Sequence, residues 1–449
     1  MGLVGSDGIA PVAPALGRIA GAVGLERFRL VPTLLWLDAS DGAMRALCWS
    51  GVVLAVLLIL DVAPALCLGL LWVAYLSLVT VGQDFLAFQW DSLLLETGLL
   101  AAFLAPWRLR PRLRQPSEPP ALFRWLLWFL LFRLMLSSGL VKLLSGDPTW
   151  RDLTALTFHY ETQPLPPWTA WYAHQLPAWF HRLSVAIMFA IELLVPFLIA
   201  APRRLRHAGS VLLIAFQVLI VATGNYAFFN LLAIALCLFL FDDAVLAPRL
   251  RWLAPEPGER AHPPRWLAWP VAGLVAILGL TLLAGLADRR VWRAGPVRWA
   301  FAGTGPYHLV NSYGLFAGMT TTRPEIVVQG SADGETWRDY AFPWKPGDPA
   351  RRPGFVAPHQ PRLDWQMWFA ALGDCEGSRW LPGLFRRLLE GSPPVLGLLA
   401  GDPFPEGPPR YVRALVHDYR FTDPAERARS GRWWRRGEAR LFCPAVSLE

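Results

Sequence analysis

Lysine is almost absent from this chain: Lys142 and Lys345 are the only two, and arginine carries nearly all of the net charge of +8. The arginines are scattered through loops beside apolar segments and form no patch with interleaved aromatic residues, so nucleic-acid binding is not expected.

Cysteine is also scarce, and none of the five cysteines has C-x-x-C spacing, which argues against a zinc or thioredoxin-like site. Cys375 and Cys443 both lie in the C-terminal part. The sequence allows two alternatives for them: a disulfide bond or two unpaired buried thiols.

Several sequence signals are missing as well. No N-glycosylation sequon occurs, and residues 1–10 lack the basic start and the long apolar core of a cleavable signal peptide. No G-x-S-x-G, Walker or dinucleotide fingerprint is present, so the enzyme classes that carry them are not indicated. What the chain has instead is apolar residues: 54% of its 449 residues are hydrophobic. They cluster in blocks, which is typical of an integral membrane protein.

The apolar blocks predict a mainly α-helical polytopic membrane protein with about eight transmembrane helices, several shorter than the roughly 20 residues that a perpendicular span needs. We expect an N-terminal segment at 1–45, a membrane domain at 46–287 and a soluble C-terminal domain at 288–449. The predicted spans are Ala46–Leu60, Val62–Val81, Ser92–Trp107, Leu122–Leu144, Leu183–Ala201, Ala208–Thr223, Tyr226–Phe241 and Leu267–Leu286.

The distribution of arginines predicts how these helices are oriented. The loops at 108–124, 202–207 and 242–266 are rich in arginine, whereas the opposite loops carry only Arg151 and Arg182. Because cytoplasmic loops of membrane proteins carry the excess positive charge, the arginine-rich loops are expected in the cytoplasm. The large loop between the fourth and fifth spans and the C-terminal domain are then expected on the outer side.

The C-terminal domain is predicted to be β-rich and similar to a β-sandwich, with a few short helices added. A hairpin is expected over 325–344, where β-forming runs flank an Asp-Gly turn, and the run 411–421 alternates in the same way. Residues 363–372 and 384–389 are expected to be helical. The arginines within 289–298 oppose an outer location, but long domains cross the membrane largely regardless of charge.

Ionisable residues gather where the fourth span meets the large outer loop, residues 145–182. Lys142 lies near the outer end of the span, and His159 and Glu161 follow in the loop. Ionisable groups at a bilayer boundary are costly to place and therefore tend to be functional. A desolvated lysine can act as a base, so Lys142, His159 and Glu161 are candidate catalytic residues; a structural, snorkelling lysine is the alternative. The loop matches no familiar metal spacing, so neither a metal site nor a cofactor is predicted.

A second group of polar residues lies within the predicted spans and at their ends. Arg133 lies near the middle of the fourth span and needs a buried partner, for which Glu96 and Glu192 are the available carboxylates. Asp91 can cap the third span, and the asparagines near the seventh span can cap it or bond between helices. The predicted polar network consists of Gln89, Asp91, Glu96, Arg133, Glu192, Asn225 and Asn230.

Several long and unusual runs resemble the lipase maturation factor family along nearly the whole chain. They include YLSLVTVGQDFLAFQWDSLLLETG, FRLMLSSGLVKLLSGDPTWRDLTALTFHYETQPLP, TGNYAFFN, NSYGLFAGMTTTRPEIVVQGSADGETW and HQPRLDWQMWFAALG. Animal members of that family are multispan proteins of the endoplasmic reticulum that help certain secreted lipases to fold and assemble. Members usually have a further span before the segment that matches GSDGIAP, so the resemblance implies either an N-terminus that is truncated relative to the family or a start that is misassigned.

The resemblance implies a membrane-anchored maturation factor whose C-terminal domain faces a secreted lipase or another secreted client, with membrane lipid around its helices. The arginine bias and the missing sequons favour a bacterial member in the inner membrane, with the C-terminal domain periplasmic or extracellular. In a eukaryote the membrane would be that of the endoplasmic reticulum. Exposed aromatic patches bind partners, so Trp365, Trp368, Trp433 and Trp434 are candidate client-binding residues.

A weaker likeness supports an alternative function. The run SGLVKLLSGDPTW is similar to a segment of the membrane domain of the vitamin K-dependent carboxylase family, in which a lysine of this segment acts as a base. This likeness implies an integral-membrane enzyme that uses Lys142 at the outer bilayer face. A transporter is less favoured because the spans show no inverted-repeat halves.

Overall fold

A computed structural model describes residues 1–110, 118–242, 245 and 261–448. The α-helices in chain order, α1 to α18, are Val12–Val23, Arg27–Leu30, Asp41–Ile59, Pro64–Val81, Gln89–Leu104, Ala121–Leu144, Pro148–Arg151, Leu156–Thr162, Trp168–His174, Ala178–Leu193, Arg203–Thr223, Phe229–Leu238, Arg265–Ala287, Gly295–Thr304, Arg362–Ala371, Leu381–Leu389, Pro393–Leu396 and Pro424–Ser430. The strands β1 to β5 are Arg323–Ser331, Arg338–Asp339, Tyr411–Phe421, Trp434–Arg436 and Arg440–Val446.

Six helices within the described ranges are long and apolar enough to cross a membrane: α3, α4, α6, α11, α13, and α10 together with the 3₁₀ turn that extends it to Ala200. The other two predicted spans are shorter helices. Ser92–Trp107 corresponds to α5, of 16 residues, and Tyr226–Phe241 to α12, of 10 residues. The coarse prediction of a helical membrane protein is confirmed. The count of about eight spans is not, because α5 and α12 are both shorter than the six long helices; a non-helical turn at residues 224–228 shortens α12.

The helix α6 lies at the centre of the bundle and contacts α5, α10, α12 and α13. It begins directly after Pro119 and Pro120. Proline is tolerated there because the backbone N–H that it lacks would have no hydrogen-bond partner within the helix. The helix ends at Leu144, two residues before Gly146. A Cβ atom at Gly139 would lie 2.7 Å from the Leu193 side chain, so the glycine is what lets α10 approach α6 this closely.

The strands of the C-terminal part form one antiparallel sheet with the order β2-β1-β3-β4, and β5 also pairs with β3. The expected hairpin over 325–344 is present as β1 and β2, and the expected strand 411–421 is β3. The expected helices correspond to α15 and α16. The β-sandwich is not confirmed within the described residues, because α15 and α16, rather than a second sheet, cover the apolar side chains of β1 and β3, among them Ile326 and Val412.

The N-terminal segment packs on this C-terminal sheet domain. Ile9 is buried in its apolar core, and the Arg387 side chain donates to the Gly8 carbonyl at 2.9 Å. Cys375 and Cys443 form a disulfide, with Cα atoms 5.4 Å apart, which connects the loop after α15 to β5. The sequence left this pairing open, and it gave no sign that residues 1–10 belong beside the C-terminal domain.

The C-terminal domain contacts the turn between α4 and α5, the 145–182 loop and the turn before α12. The 145–182 loop was expected on the same side of the membrane as the C-terminal domain, and these contacts place all three segments at one end of the helix bundle. Outside the described ranges lie five of the arginines expected at the opposite end, namely Arg112, Arg114, Arg249, Arg251 and Arg260.

Candidate functional site

Lys142 and Glu192 form a buried ion pair between α6 and α10. The Lys142 Nζ atom donates to both Glu192 carboxylate oxygens, at 2.9 and 2.8 Å, and to the Ser138 carbonyl at 3.0 Å. The Lys142 side chain is 7% exposed and the Glu192 side chain 6%. The ammonium group also lies 5.5 Å from the centre of the Trp150 ring. All three donors of the lysine are therefore occupied, and its charge is balanced by the carboxylate beside it.

A cavity of about 460 Å³ lies next to this ion pair. Side chains of α6, α8, α10, α11 and α12 line it, together with two residues that follow the NSYG segment of the C-terminal part. The walls are mostly leucine, isoleucine, methionine and phenylalanine. The polar groups at its surface include Lys142, Glu192, His159 and Tyr226. The cavity thus brings two of the three candidate catalytic residues together.

His159 takes part in a hydrogen-bonded chain at the surface of the cavity. The Tyr226 hydroxyl donates to Gln163 Oε1 at 2.9 Å and lies 3.1 Å from His159 Nε2. Desolvation by burial, and secondarily the charge of Lys142, lower the pKa of His159 to about 4. The imidazole is therefore neutral at physiological pH.

Glu161 does not line the cavity and is directed toward the C-terminal domain. Its carboxylate accepts a hydrogen bond from the Phe421 backbone N–H at 3.0 Å and lies 3.8 Å from His174 Nε2. A joint catalytic role with Lys142 and His159 stays a prediction without geometric support. Within the described residues no group of three or more His, Cys, Asp or Glu side chains is arranged to hold a metal ion.

Glu96 and Arg133 form an ion pair in the centre of the bundle, and both are almost completely buried. Of the two carboxylates considered for Arg133, Glu96 is the one that it contacts. The NSYG segment completes this pair: the Asn311 backbone N–H and the Tyr313 hydroxyl donate to Glu96 at 2.9 and 2.7 Å, and Arg133 donates to the Asn311 carbonyl at 3.1 Å. A segment of the C-terminal part thus enters the membrane domain.

Asp91, at the start of α5, connects the membrane domain to α15. It is fully buried, and Arg362 donates to its two carboxylate oxygens at 2.8 and 2.9 Å. Its bond to the Phe88 N–H is long, at 3.4 Å, so the predicted capping role is secondary to the bond with Arg362. On the same helix, the Gln89 side chain accepts from the Gly314 N–H at 3.0 Å.

The two asparagines of the TGNYAFFN segment have different roles. Asn225 bonds only to backbone atoms: its amide group donates to the Leu165 and Gly354 carbonyls, both at 3.0 Å, and its oxygen accepts from the Val356 N–H at 2.9 Å. It therefore joins the 145–182 loop to the C-terminal part. Asn230 instead donates to Gln217 Oε1 at 2.7 Å and lines the cavity.

The four tryptophans proposed for client binding are all buried. Their exposed fractions are 8% or less, so the exposed aromatic surface expected of them is not present. Trp365 packs against Trp90, Trp368 donates to the Thr162 carbonyl at 2.8 Å, and Trp433 and Trp434 pack in the core beside the 145–182 loop. Large aromatic residues gain most by filling the contact between the C-terminal domain and the bundle. Their client-binding role stays a prediction without a surface to support it.

Comparisons with known proteins cover both parts of this architecture. Residues 1–248 match the family model described as lipase maturation factor transmembrane domain, and residues 309–444 match the lipase maturation factor C-terminal domain. The chain belongs to the lipase maturation factor family. Lipase maturation factor 2 of Mus musculus is 39% identical over all of this chain and 80% of its own length. Lipase maturation factor 1 of Bos taurus is 36% identical over all of this chain and 84% of its own length. No solved structure matches.

Membership of the lipase maturation factor family agrees with the resemblance found in the sequence, and none of the comparisons supports the carboxylase-like alternative. These buried contacts run between the two family domains: Glu96 and Asp91 belong to the first, and Asn311, Tyr313 and Arg362 to the second. In this lipase maturation factor homologue the two domains therefore share two groups of buried polar contacts.

Three important residues of this family member escaped the sequence reasoning. Asn311 and Tyr313 lie in the part of the chain that was predicted to be soluble. The one signal for a buried role is that the polar run NSYG is short and has apolar residues on both sides. Arg323 is fully buried and donates to the Glu161 and Pro164 carbonyls at 2.7 and 2.8 Å. Nothing in its local sequence distinguishes it from the many exposed arginines.

Proposed function

We propose that this protein is a membrane-anchored maturation factor that assists the folding and assembly of secreted lipases or similar secreted proteins. The observation that carries the proposal is the similarity to named lipase maturation factors over the full chain, through both family domains. The client class comes from those names, and the sequence of this chain does not select among secreted lipases.

The arrangement of the C-terminal domain supports a role outside the cytoplasm. It lies at one end of the bundle and carries the Cys375–Cys443 disulfide. Structural disulfides persist in oxidising compartments such as the periplasm and the lumen of the endoplasmic reticulum. The short arginine-rich loops favour the cytoplasm for the opposite end. We therefore place the C-terminal domain and the 145–182 loop on the periplasmic side of a bacterial inner membrane, or on the lumenal side in a eukaryote.

The test is a gene deletion in the native host, with the host's own secreted lipases as the measured clients. We expect the lipase activity per unit of lipase protein in the medium to fall severalfold, while lipase transcripts stay constant, because the lipase is made but does not reach its active assembly. Complementation with the full-length protein should restore it. Unchanged lipase specific activity in the deletion strain would contradict the proposal.

A further inference from the structure

The cavity beside Lys142 and Glu192 has the dimensions of a ligand site. Its volume of about 460 Å³ lies within the range of roughly 300–1,000 Å³ that is usual for small-molecule pockets. Leu134, Met188 and Ile220 belong to its apolar walls. The volume and the apolar lining suit a flexible hydrocarbon chain better than a polar metabolite.

The cavity reaches the surface between α10 and α11. Leu183 and Ile187 on α10 and Leu219 on α11 line it and are 49%, 50% and 64% exposed. Both helices are long and apolar enough to span a membrane. Exposed leucine and isoleucine side chains on such helices face lipid, so a ligand reaches the cavity sideways from the bilayer.

The polar groups of the cavity mostly bond to one another. Lys142 and Glu192 neutralise each other, and Asn230 bonds to Gln217. Neither pair carries a net charge, so the cavity offers no counter-charge to a charged lipid headgroup. A charged headgroup would have to open the buried ion pair, which is strongly unfavourable. The ligand is therefore expected to be uncharged.

One hydrogen-bond acceptor at the cavity is on His159. Gln163 uses its amide nitrogen to donate to the Thr223 carbonyl at 2.8 Å, so its oxygen is the acceptor for the Tyr226 hydroxyl. The Tyr226 oxygen must then accept from His159 Nε2–H, because the hydroxyl proton is already used. Nδ1 of the neutral ring keeps a free lone pair and has no hydrogen-bond partner among the described residues.

We propose that this cavity binds the acyl chain of an uncharged membrane lipid that carries a free hydroxyl group, as a monoacylglycerol or diacylglycerol does. The hydrocarbon chain lies among the apolar walls between α10 and α11, and the hydroxyl group donates to His159 Nδ1. Binding needs no chemical change in the lipid, and it is independent of which client the protein assists.

The test uses a monoacylglycerol with a diazirine in its acyl chain and a terminal alkyne, added to membranes that contain the full-length protein. After irradiation, peptides of α10 and α11 should carry most of the label. The dimethyl ether of the same probe, which lacks hydroxyl donors, should label them about fivefold less, the usual effect of losing one hydrogen bond. Equal labelling by the ether, or stronger labelling by an anionic phosphatidic acid probe, would overturn the proposal.

Two neighbouring residues of α11 provide the matched variants. Leu219 lines the cavity and Val218 does not, although both are exposed. We expect Leu219→Trp to reduce labelling of the cavity peptides at least fivefold and Val218→Trp to leave it unchanged. His159→Phe should remove the difference between the probe and its ether. Formation of the Cys375–Cys443 disulfide serves as the check that each variant is folded. Equal labelling in folded Leu219→Trp and Val218→Trp proteins would show that the lipid contacts only the outer surface.

Discussion

At the scale of single residues, the main finding concerns the described part of the bundle, where the buried lysine and the most deeply buried arginine each pair with a specific carboxylate. Lys142 pairs with Glu192, and Arg133 pairs with Glu96. Leaving a buried charge without its partner costs far more free energy than forming the pair gains. Neither member of such a pair can therefore be replaced alone without a large loss of stability. This accounts for the ionisable residues of the fourth span without assigning a reaction to them.

Glu192→Gln should destabilise the protein by about 3–5 kcal/mol, because it leaves the Lys142 ammonium buried beside an amide. The double variant Lys142→Met, Glu192→Leu should be more stable than the Glu192→Gln variant, since it removes both charges. Thermal unfolding of the protein in detergent measures both. Glu26→Gln, which breaks an exposed ion pair with Arg29, is the control and should cost less than about 1 kcal/mol. A double variant no more stable than Glu192→Gln would contradict the pairing argument.

His159 should make the stability of the protein depend on pH. The pKa of its imidazole is about 4 in the folded protein and close to 6.5 in the unfolded chain, so the unfolded chain binds more protons between these values. The contribution of His159 is complete above pH 6.5 and is lost as the pH falls toward 4, by up to about 3 kcal/mol. Burial also lowers the pKa of His174, so the contribution of His159 must be isolated by comparison with a variant that lacks its imidazole.

The melting temperature should therefore fall more between pH 7.5 and pH 4.5 in the unmodified protein than in His159→Gln. Glutamine keeps an amide donor for Tyr226 but does not titrate in this range. Identical pH dependence of the two proteins would mean that His159 is already accessible to protons in the folded state.

At the scale of secondary-structure elements, the helix α15 contributes both polar bonds and aromatic packing to the contact between the two family domains. Its residues Arg362 and Gln366 bond to the turn before α5, and Trp365 packs on Phe88 and Trp90. The contact combines a buried ion pair with aromatic packing, so α15 is expected to be ordered only while it is docked.

Asp91→Asn should loosen this docking, because Arg362 then loses the charge of its buried partner. We expect amide hydrogen exchange in α15 to become at least tenfold faster, which corresponds to about 1.4 kcal/mol of local stability. Asp84→Asn is the matched control, since the Asp84 side chain is exposed and only its backbone carbonyl contacts Gln366. Equal exchange rates in the two variants would argue that Asp91 contributes nothing to the docking.

The sequence predicted the strands and helices of the C-terminal domain better than it predicted how this domain contacts the helix bundle. Strand β3 and helices α15 and α16 follow from alternation and helical spacing, which are local properties. The partners of Asp91 and Glu96 could not be predicted, because Arg362 and Asn311 lie more than 200 residues away along the chain. The expected exposure of Trp433 and Trp434 was wrong for the same reason: whether an aromatic residue is buried depends on what packs over it.

At the scale of the whole molecule, the two family domains form a continuous structure rather than separate modules. Residues 1–10 and the 145–182 loop both pack against the sheet domain, at one end of the helix bundle. The Cys375–Cys443 disulfide reinforces the sheet domain on the side where α15 and α16 cover it.

Cys375→Ser should lower the stability of the sheet domain by about 2–5 kcal/mol, since the disulfide closes a loop between residues 68 positions apart. The expected result is faster proteolysis of the C-terminal part and a mobility on non-reducing gels that no longer responds to reductant. Cys48→Ser, at an exposed free cysteine of α3, is the control and should change neither property. Equal protease resistance of Cys375→Ser and the unmodified protein would contradict a stabilising role.

The NSYG segment also has a consequence for biosynthesis. The ribosome makes Glu96 and Asn225 long before it reaches Asn311, Tyr313 and Gly354, which supply several of their hydrogen bonds. In the nascent chain these polar groups therefore remain incompletely hydrogen-bonded after their helices have been inserted. They stay so until translation of the C-terminal part is nearly finished. The protein should accordingly depend on membrane quality control during its own synthesis, and a stop codon near residue 290 should lead to rapid degradation rather than to a stable set of helices.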